Sequence, residues 1–237
     1  MSRPVPLPEP DALAAFAAAG IDAALAERLA VYVALVLDAN RRLNLTGAKT
    51  GAAFAVHVLD ALTLRDRVAS PLIDVGSGNG VPGIPLALAT GARVVLLEPI
   101  KKRATFLAAA LRTLGIEGEA VALRAEDAAR DPALRGGFGT ATARAVASAP
   151  AVAELTVPFL EIGGRALLQR GSLDPLERNA VADAALVLGA ELTSERLLDG
   201  ERRVLVLEKR VPTGPRFPRK NGIPAKRPLC MPRAAGV

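Results

Sequence analysis

Leu72-Ile73-Asp74-Val75-Gly76-Ser77-Gly78-Asn79-Gly80-Val81-Pro82-Gly83 is the stretch from which the rest of this 237-residue chain is read. A short apolar run enters a turn holding four glycines in eight residues, and a helix opens at Ile84-Pro85-Leu86. Glycine accepts positive φ and, having no Cβ, lets a ligand lie against the backbone. The N–H groups at the helix start face the same spot. Strand, glycine turn and helix in that order predict a nucleotide-like ligand at the carboxyl end of a parallel sheet.

Downstream of the turn the chain alternates. Strands are expected near 72–75, 93–98, 119–123, 140–145 and 164–169, and helices at 84–90, 99–114, 150–161 and 173–188. Such alternation argues for a parallel sheet covered on both faces. Glu191 to Leu198, Asp199-Gly200 and Arg202 to Lys209 then read as two strands around a tight turn. The expected fold is α/β and Rossmann-like, a seven-stranded, mostly parallel sheet closed by an antiparallel hairpin.

Upstream, Leu13, Phe16, Leu25, Leu29, Tyr32, Val33 and Val36 recur at helical spacing and predict a helix over 11–39. Asn40 to Gly47 interrupts it with turn-forming residues, and a second helix is expected over about 51–66. The chain thus divides into a helical N-terminal extension (1–68), the sheet domain (69–210) and a basic, proline-rich tail (211–237). The tail has six prolines and no apolar period, so it is expected to be irregular.

Composition narrows the function. Aromatics are 3% and Trp is absent, which excludes binding by rows of stacked rings. The one cysteine, Cys230, allows no internal disulfide or cysteine-rich zinc site, and no metal is expected. The first ten residues hold four prolines rather than an apolar leader, and no run is long enough to span a membrane. A cytoplasmic monomer is expected. The net charge is +6, and from Lys209 onward there are eight Lys or Arg and no acid, leaving 22 basic residues against 24 acidic ones elsewhere. A basic tail on a near-neutral globule points to a polyanion partner.

Gly78 to Gly83 satisfies G-x-G-x-x-G, a weak dinucleotide signal by itself. Asp74 ahead of the glycines, prolines at Pro82 and Pro85, and the long helical lead-in weigh against a dehydrogenase. Asp-x-Gly-x-Gly-x-Gly is instead the pattern of a turn that cradles S-adenosylmethionine (SAM), with Asp74, Gly76, Ser77, Gly78 and Gly80 around the cofactor. Glu98 ends the second strand, where a carboxylate can accept hydrogen bonds from both ribose hydroxyls or cap the helix that Pro99 opens. Arg124-Ala125-Glu126-Asp127 follows the third strand, suited to holding the adenine or to capping.

After the fourth strand stands Thr142-Ala143-Arg144-Ala145-Val146, without the Asn/Asp-Pro-Pro-aromatic segment of amino-group methyltransferases or a well-placed nucleophilic cysteine. A target with a free lone pair, such as guanine N7, needs no base. Alignment plus a cation suffices, and Arg144 is the candidate catalytic residue. It could equally pair with Asp74, Glu98 or Glu126.

Asn44-Leu45-Thr46, His57-Val58-Leu59-Asp60, the glycine block through Gly80-Val81-Pro82-Gly83-Ile84-Pro85, Lys102-Arg103 with Phe106-Leu107, Arg144-Ala145-Val146-Ala147, Gly200-Glu201-Arg202-Arg203 and Phe217-Pro218-Arg219 resemble the RsmG (GidB) family. The resemblance implies a class I SAM-dependent methyltransferase acting on guanine N7 in the 530-loop region of 16S ribosomal RNA, free or within the 30S particle. It implies that Gly76, Val81, Ala125, Glu126 and Arg144 contact or border SAM, which shifts Arg144 toward the cofactor carboxylate. Two departures stand out, Ala61 where serine is common and Glu98 where Asp is common. Neither removes a needed group.

Arg41, Arg42, Lys101, Lys102, Arg103, Arg219 and Lys220 are candidates for RNA phosphate contact as a set. His57 and Asp60 share a helix face and are expected to pack or position RNA rather than move protons. Two rivals are an NAD-dependent oxidoreductase, which would bind NADH and not SAM, and a non-catalytic RNA-binding assembly factor, which would bind RNA without methyl transfer. Removal of 211–237 is expected to weaken RNA binding and spare SAM affinity.

Overall fold

The structure, a computed structural model, describes residues 5–144, 147–197 and 202–231, with only the backbone of Arg196. Seven strands, β1 (Leu72–Val75), β2 (Val94–Leu97), β3 (Gly118–Val121), β4 (Phe138–Arg144), β5 (Leu160–Arg170), β6 (Ala190–Leu197) and β7 (Arg203–Lys209), form a sheet in the order β3-β2-β1-β4-β5-β7-β6. The pairs β2–β3, β1–β4 and β4–β5 are parallel, while β7 runs antiparallel to β5 and β6. β1 and β2 are buried at every position, as strands covered on both faces must be; β2 accordingly reads as an unbroken apolar run, and β1 carries one polar residue, Asp74.

Contacts divide the chain into two compact units, residues 1–68 with 77–122, and residues 69–76 with 123–237. The first holds α1 (Pro10–Ala18), α2 (Ala23–Leu43), α3 (Gly51–Leu62), α4 (Gly83–Thr90) and α5 (Lys101–Thr113) with β2 and β3. α1 packs on α2 and α3, and α2 packs on α4 and α5. The buried Tyr32 and Phe54 rings lie 6.0 Å apart at the centre of this unit.

The helix expected over 11–39 is two helices. Gly20, at φ +71°, turns the chain after α1, and the Asp22 carboxylate caps α2 by accepting from the N–H groups of Ala24 and Leu25. The helix expected over 51–66 ends at Leu62 and gives way to a 3-10 turn at Arg65–Arg67.

The second unit holds β1, β4, β5, β6 and β7 with α6 (Ala125–Ala128), α7 (Ala149–Thr156), α8 (Pro175–Val187) and α9 (Ile223–Lys226). α7 continues only as a 3-10 turn, Val157–Phe159, because β5 begins at Leu160, four residues earlier than expected. Phe138 and Phe159 meet edge to face at 6.3 Å. The tight turn expected at Asp199-Gly200 lies outside the described residues.

Residues 211–231 are largely irregular, as expected, but they form a docked strap. Phe217 is buried, the Arg135 guanidinium donates to the carbonyls of Thr213, Gly214 and Phe217, and Arg130 donates to that of Pro218. Proline-rich backbone lacks donors, so its carbonyls need partners, and two arginines supply them.

Lys209, 2% exposed at the end of β7, donates to the carbonyls of Val157 and Leu188 and to the Thr213 hydroxyl. Burial, and secondarily the Arg135 charge, pull its amine from 10.5 down to about 8. Between those values the unfolded chain binds more protons than the folded one, so stability rises with pH across that window. A comparison of wild type with Lys209→Met in urea at pH 7.5 and pH 10 should show a gain in the wild type of up to about 3 kcal/mol that the variant lacks.

Candidate active site

The first unit holds the glycine turn and the acid after β2. The Ser77 N–H donates to the Leu97 carbonyl at 2.9 Å, tying the turn to the end of β2. Glu98, 3% exposed, accepts from the Gly78 N–H through Oε2 and from the Ile100 N–H through Oε1, both at 2.9 Å. Both uses foreseen for this residue are therefore compatible. One bond per oxygen caps the turn and α5, and each oxygen keeps a second acceptor site.

Gly80 adopts φ +103°, a conformation side chains rarely take, and an added Cβ would lie 2.7 Å from the Ile84 side chain. Val81 is buried beside it.

Asn79 holds the turn from outside. Its carbonyl accepts from the Tyr32 hydroxyl at 2.9 Å, its amide donates to the Leu45 carbonyl at 3.1 Å, and its Oδ1 accepts from the Val81 N–H at 3.1 Å. Leu45 is held in turn by Asn40, whose Oδ1 accepts from the N–H groups of Leu45 and Thr46 and whose amide donates to the Thr46 carbonyl. The Asn44-Leu45-Thr46 segment is therefore a brace for the glycine turn. The roles of Asn40, Asn79 and Tyr32 are not legible in the sequence, apart from the signal of an asparagine within an otherwise small-residue turn.

Arg41, Arg42, Lys101 and Lys102 are exposed in this unit, and Arg42 reaches Asp38 only at 3.6 Å across water-exposed side chains. Arg103 donates to the Asn44 carbonyl at 3.2 Å. Lys101, Lys102 and Arg103 form the first turn of α5, which has no acid. Cations there oppose the helix dipole by about 0.3–1 kcal/mol each, a cost that a bound anion would offset. His57 is exposed on α3 with its ring edge against Phe54, 6.0 Å between centroids. Asp60, one turn further, is half-buried.

The second unit holds the other candidate residues. Asp74 is buried in β1 and accepts from the hydroxyl of Thr142, its register partner on β4, at 2.8 Å. Gly76 follows β1 at φ +72°. Ala125 and Glu126 are buried at the start of α6, and Glu126 Oε1 accepts from the Gly222 N–H at 2.8 Å. Capping is thus not the use of that carboxylate.

Arg144 stands half-buried at the carboxyl end of β4, in register with Gln169. Among the described residues its guanidinium has no ion pair or side-chain hydrogen bond, so it is not paired with Asp74 or Glu126 of the same unit.

Arg219 and Lys220 differ. Lys220 is exposed on the strap, whereas Arg219 is paired with the fully buried Glu154 of α7 through its backbone N–H, Nε and terminal nitrogen at 2.6–3.1 Å. Arg219 is thus committed to the interior.

The strand order, the glycine turn after β1 and the acid after β2 define a class I SAM-dependent methyltransferase. Solved structures share this fold. A geranyl diphosphate methyltransferase bound to SAM superposes with a TM-score of 0.53 at 14% identity, covering 73% of this chain and 95% of that one. The geranyl diphosphate C-methyltransferase of Streptomyces coelicolor also gives 0.53, at 15% identity over 68% and 82%.

The chain belongs to the GidB family, rRNA small subunit methyltransferase G, whose model matches residues 25–206. A Ribosomal RNA small subunit methyltransferase G of Rubrobacter xylanophilus is 44% identical over 83% of this chain and 81% of its own length. One from Pelotomaculum thermopropionicum is 38% identical over 84% and 88%. These relatives favour the methyltransferase reading over both the oxidoreductase and the assembly-factor alternatives.

Proposed function

We propose that this chain transfers the methyl group of SAM to N7 of a guanine in the 530-loop region of 16S rRNA, as a cytoplasmic monomer without a metal. The Glu98 carboxylate carries the cofactor half of this reading. It is buried, pinned by two backbone N–H groups, and retains acceptor capacity for a pair of vicinal hydroxyls. The half-buried Arg144 guanidinium suits a carboxylate such as that of the cofactor's amino-acid part. Ala125 and Glu126, buried at the start of α6 after β3, are the residues offered to the adenine. The solved neighbour that binds SAM on the same fold, and relatives named for methylation of small-subunit RNA, support the assignment.

SAM, when bound, supplies an electrophilic methyl group. Glu98 orients the ribose by accepting its hydroxyls, and Arg144 neutralises the carboxylate. Arg41, Arg42, Lys101, Lys102, Arg103 and Lys220 neutralise RNA phosphates. Guanine N7 carries a lone pair, so no side chain has to remove a proton. Catalysis then rests on alignment and on the field of the fixed charges.

The test is incubation of the purified protein with methyl-labelled SAM and small-subunit particles or RNA from a strain lacking this chain. Label in one guanine, cleavable by the reduction and aniline treatment specific for 7-methylguanine, is the expected result. RNA binding without label would favour an assembly factor, and NADH binding without SAM binding would favour an oxidoreductase.

A further inference from the structure

The strap beyond residue 210 meets the chain at the loop assigned to the adenine. The Gly222 N–H donates to Glu126 Oε1 and the Asn221 side-chain amide donates to Asp127 Oδ2, each at 2.8 Å. Asn221 and Gly222 lie beyond the residues matched by the family model.

α6 is a single turn of four residues, too short to hold its own geometry. Its two consecutive carboxylates are each fixed by one consecutive donor of the strap. Gly222 adopts φ +77°, which aims its N–H at Glu126 while Asn221 faces Asp127. The strap is itself held rigidly, by Arg130 and Arg135 on its carbonyls before this turn and by the Arg219–Glu154 pair immediately ahead of it. α9 follows the turn and packs on α7.

We propose that Asn221 and Gly222 are positioning residues for the cofactor site: the strap sets Glu126 and Asp127, and with them the adenine-facing backbone of Ala125. The inference rests on the methyltransferase reading above. It departs from the expectation that the tail serves RNA alone, because a loop that must be ordered before it can bind binds more weakly when its brace is lost.

The test is a polarity swap across the Asn221–Asp127 bond. Asn221→Asp places two carboxylates face to face and should raise the KM and Kd for SAM about fivefold, with the KM for RNA and the melting temperature nearly unchanged. Adding Asp127→Asn restores one donor and one acceptor in reversed order and should return the SAM constants to within about twofold of wild type. Asn221→Ala, which adds no charge, should show a smaller loss in the same direction.

SAM constants unmoved by Asn221→Asp would overturn the inference, as would a loss that the double variant does not repair, or equal losses for SAM and RNA. Absence of SAM binding by the wild-type protein would instead overturn the methyltransferase reading, and this inference with it.

Discussion

Arg219→Ala is expected to destabilise the fold by about 3–5 kcal/mol, lowering the melting temperature by roughly 10 °C. Glu154 is 0% exposed, and among the described residues every donor to its carboxylate comes from Arg219. Truncation at alanine keeps the backbone bond and leaves the charge otherwise uncompensated in the interior. The cost is therefore mostly desolvation of the remaining carboxylate rather than loss of an attraction.

Replacing both partners with apolar groups, Arg219→Ala with Glu154→Leu, removes the buried charge and should recover most of the loss in urea denaturation. A double variant as unstable as the single one would show that the damage comes from the strap's packing. The same logic revises the expectation for removing 211–237. Such a truncation strips Glu154, Arg130 and Arg135 of partners, so lost RNA binding would be accompanied by lost stability.

Glu98→Ala is expected to weaken SAM binding by about 100-fold or more. Hydrogen bonds to a charged acceptor contribute about 1.5–3 kcal/mol each, and two ribose hydroxyls are at stake. The variant also frees the N–H groups of Gly78 and Ile100, loosening the glycine turn and the start of α5. Glu98→Gln keeps one acceptor oxygen and should show an intermediate loss. Calorimetric titration with SAM and with S-adenosylhomocysteine checks both. An unchanged Kd for Glu98→Ala would remove this residue from the cofactor site and leave it the capping role alone.

β1 emerged at the residues expected, 72–75, and β2 within one residue of its expected ends. β2 is apolar throughout and β1 is apolar but for Asp74, each bounded by a turn, so local sequence and burial largely agree. The long N-terminal helix did not, because three- and four-residue apolar spacings stand on both sides of Gly20 and hid a break made by positive φ and a carboxylate cap. Types of residue at the site were legible for the same reason as the strands. A glycine turn and an acid at a strand end are local patterns, and Glu98 and Arg144 stand at the ends of β2 and β4.

The sequence alone therefore determined the strand–turn–helix order, the cofactor class and the excess of cations in the tail, all of which are properties of neighbours along the chain. Only the tertiary structure decided which charges are available. Arg219 counted as one more exposed cation until a glutamate 65 residues away proved to hold it, and Glu126 suited either an adenine contact or a cap until its partner proved to lie 96 residues downstream. A charge's effect depends on its burial and on what faces it, and at those separations only folding brings the partner into place.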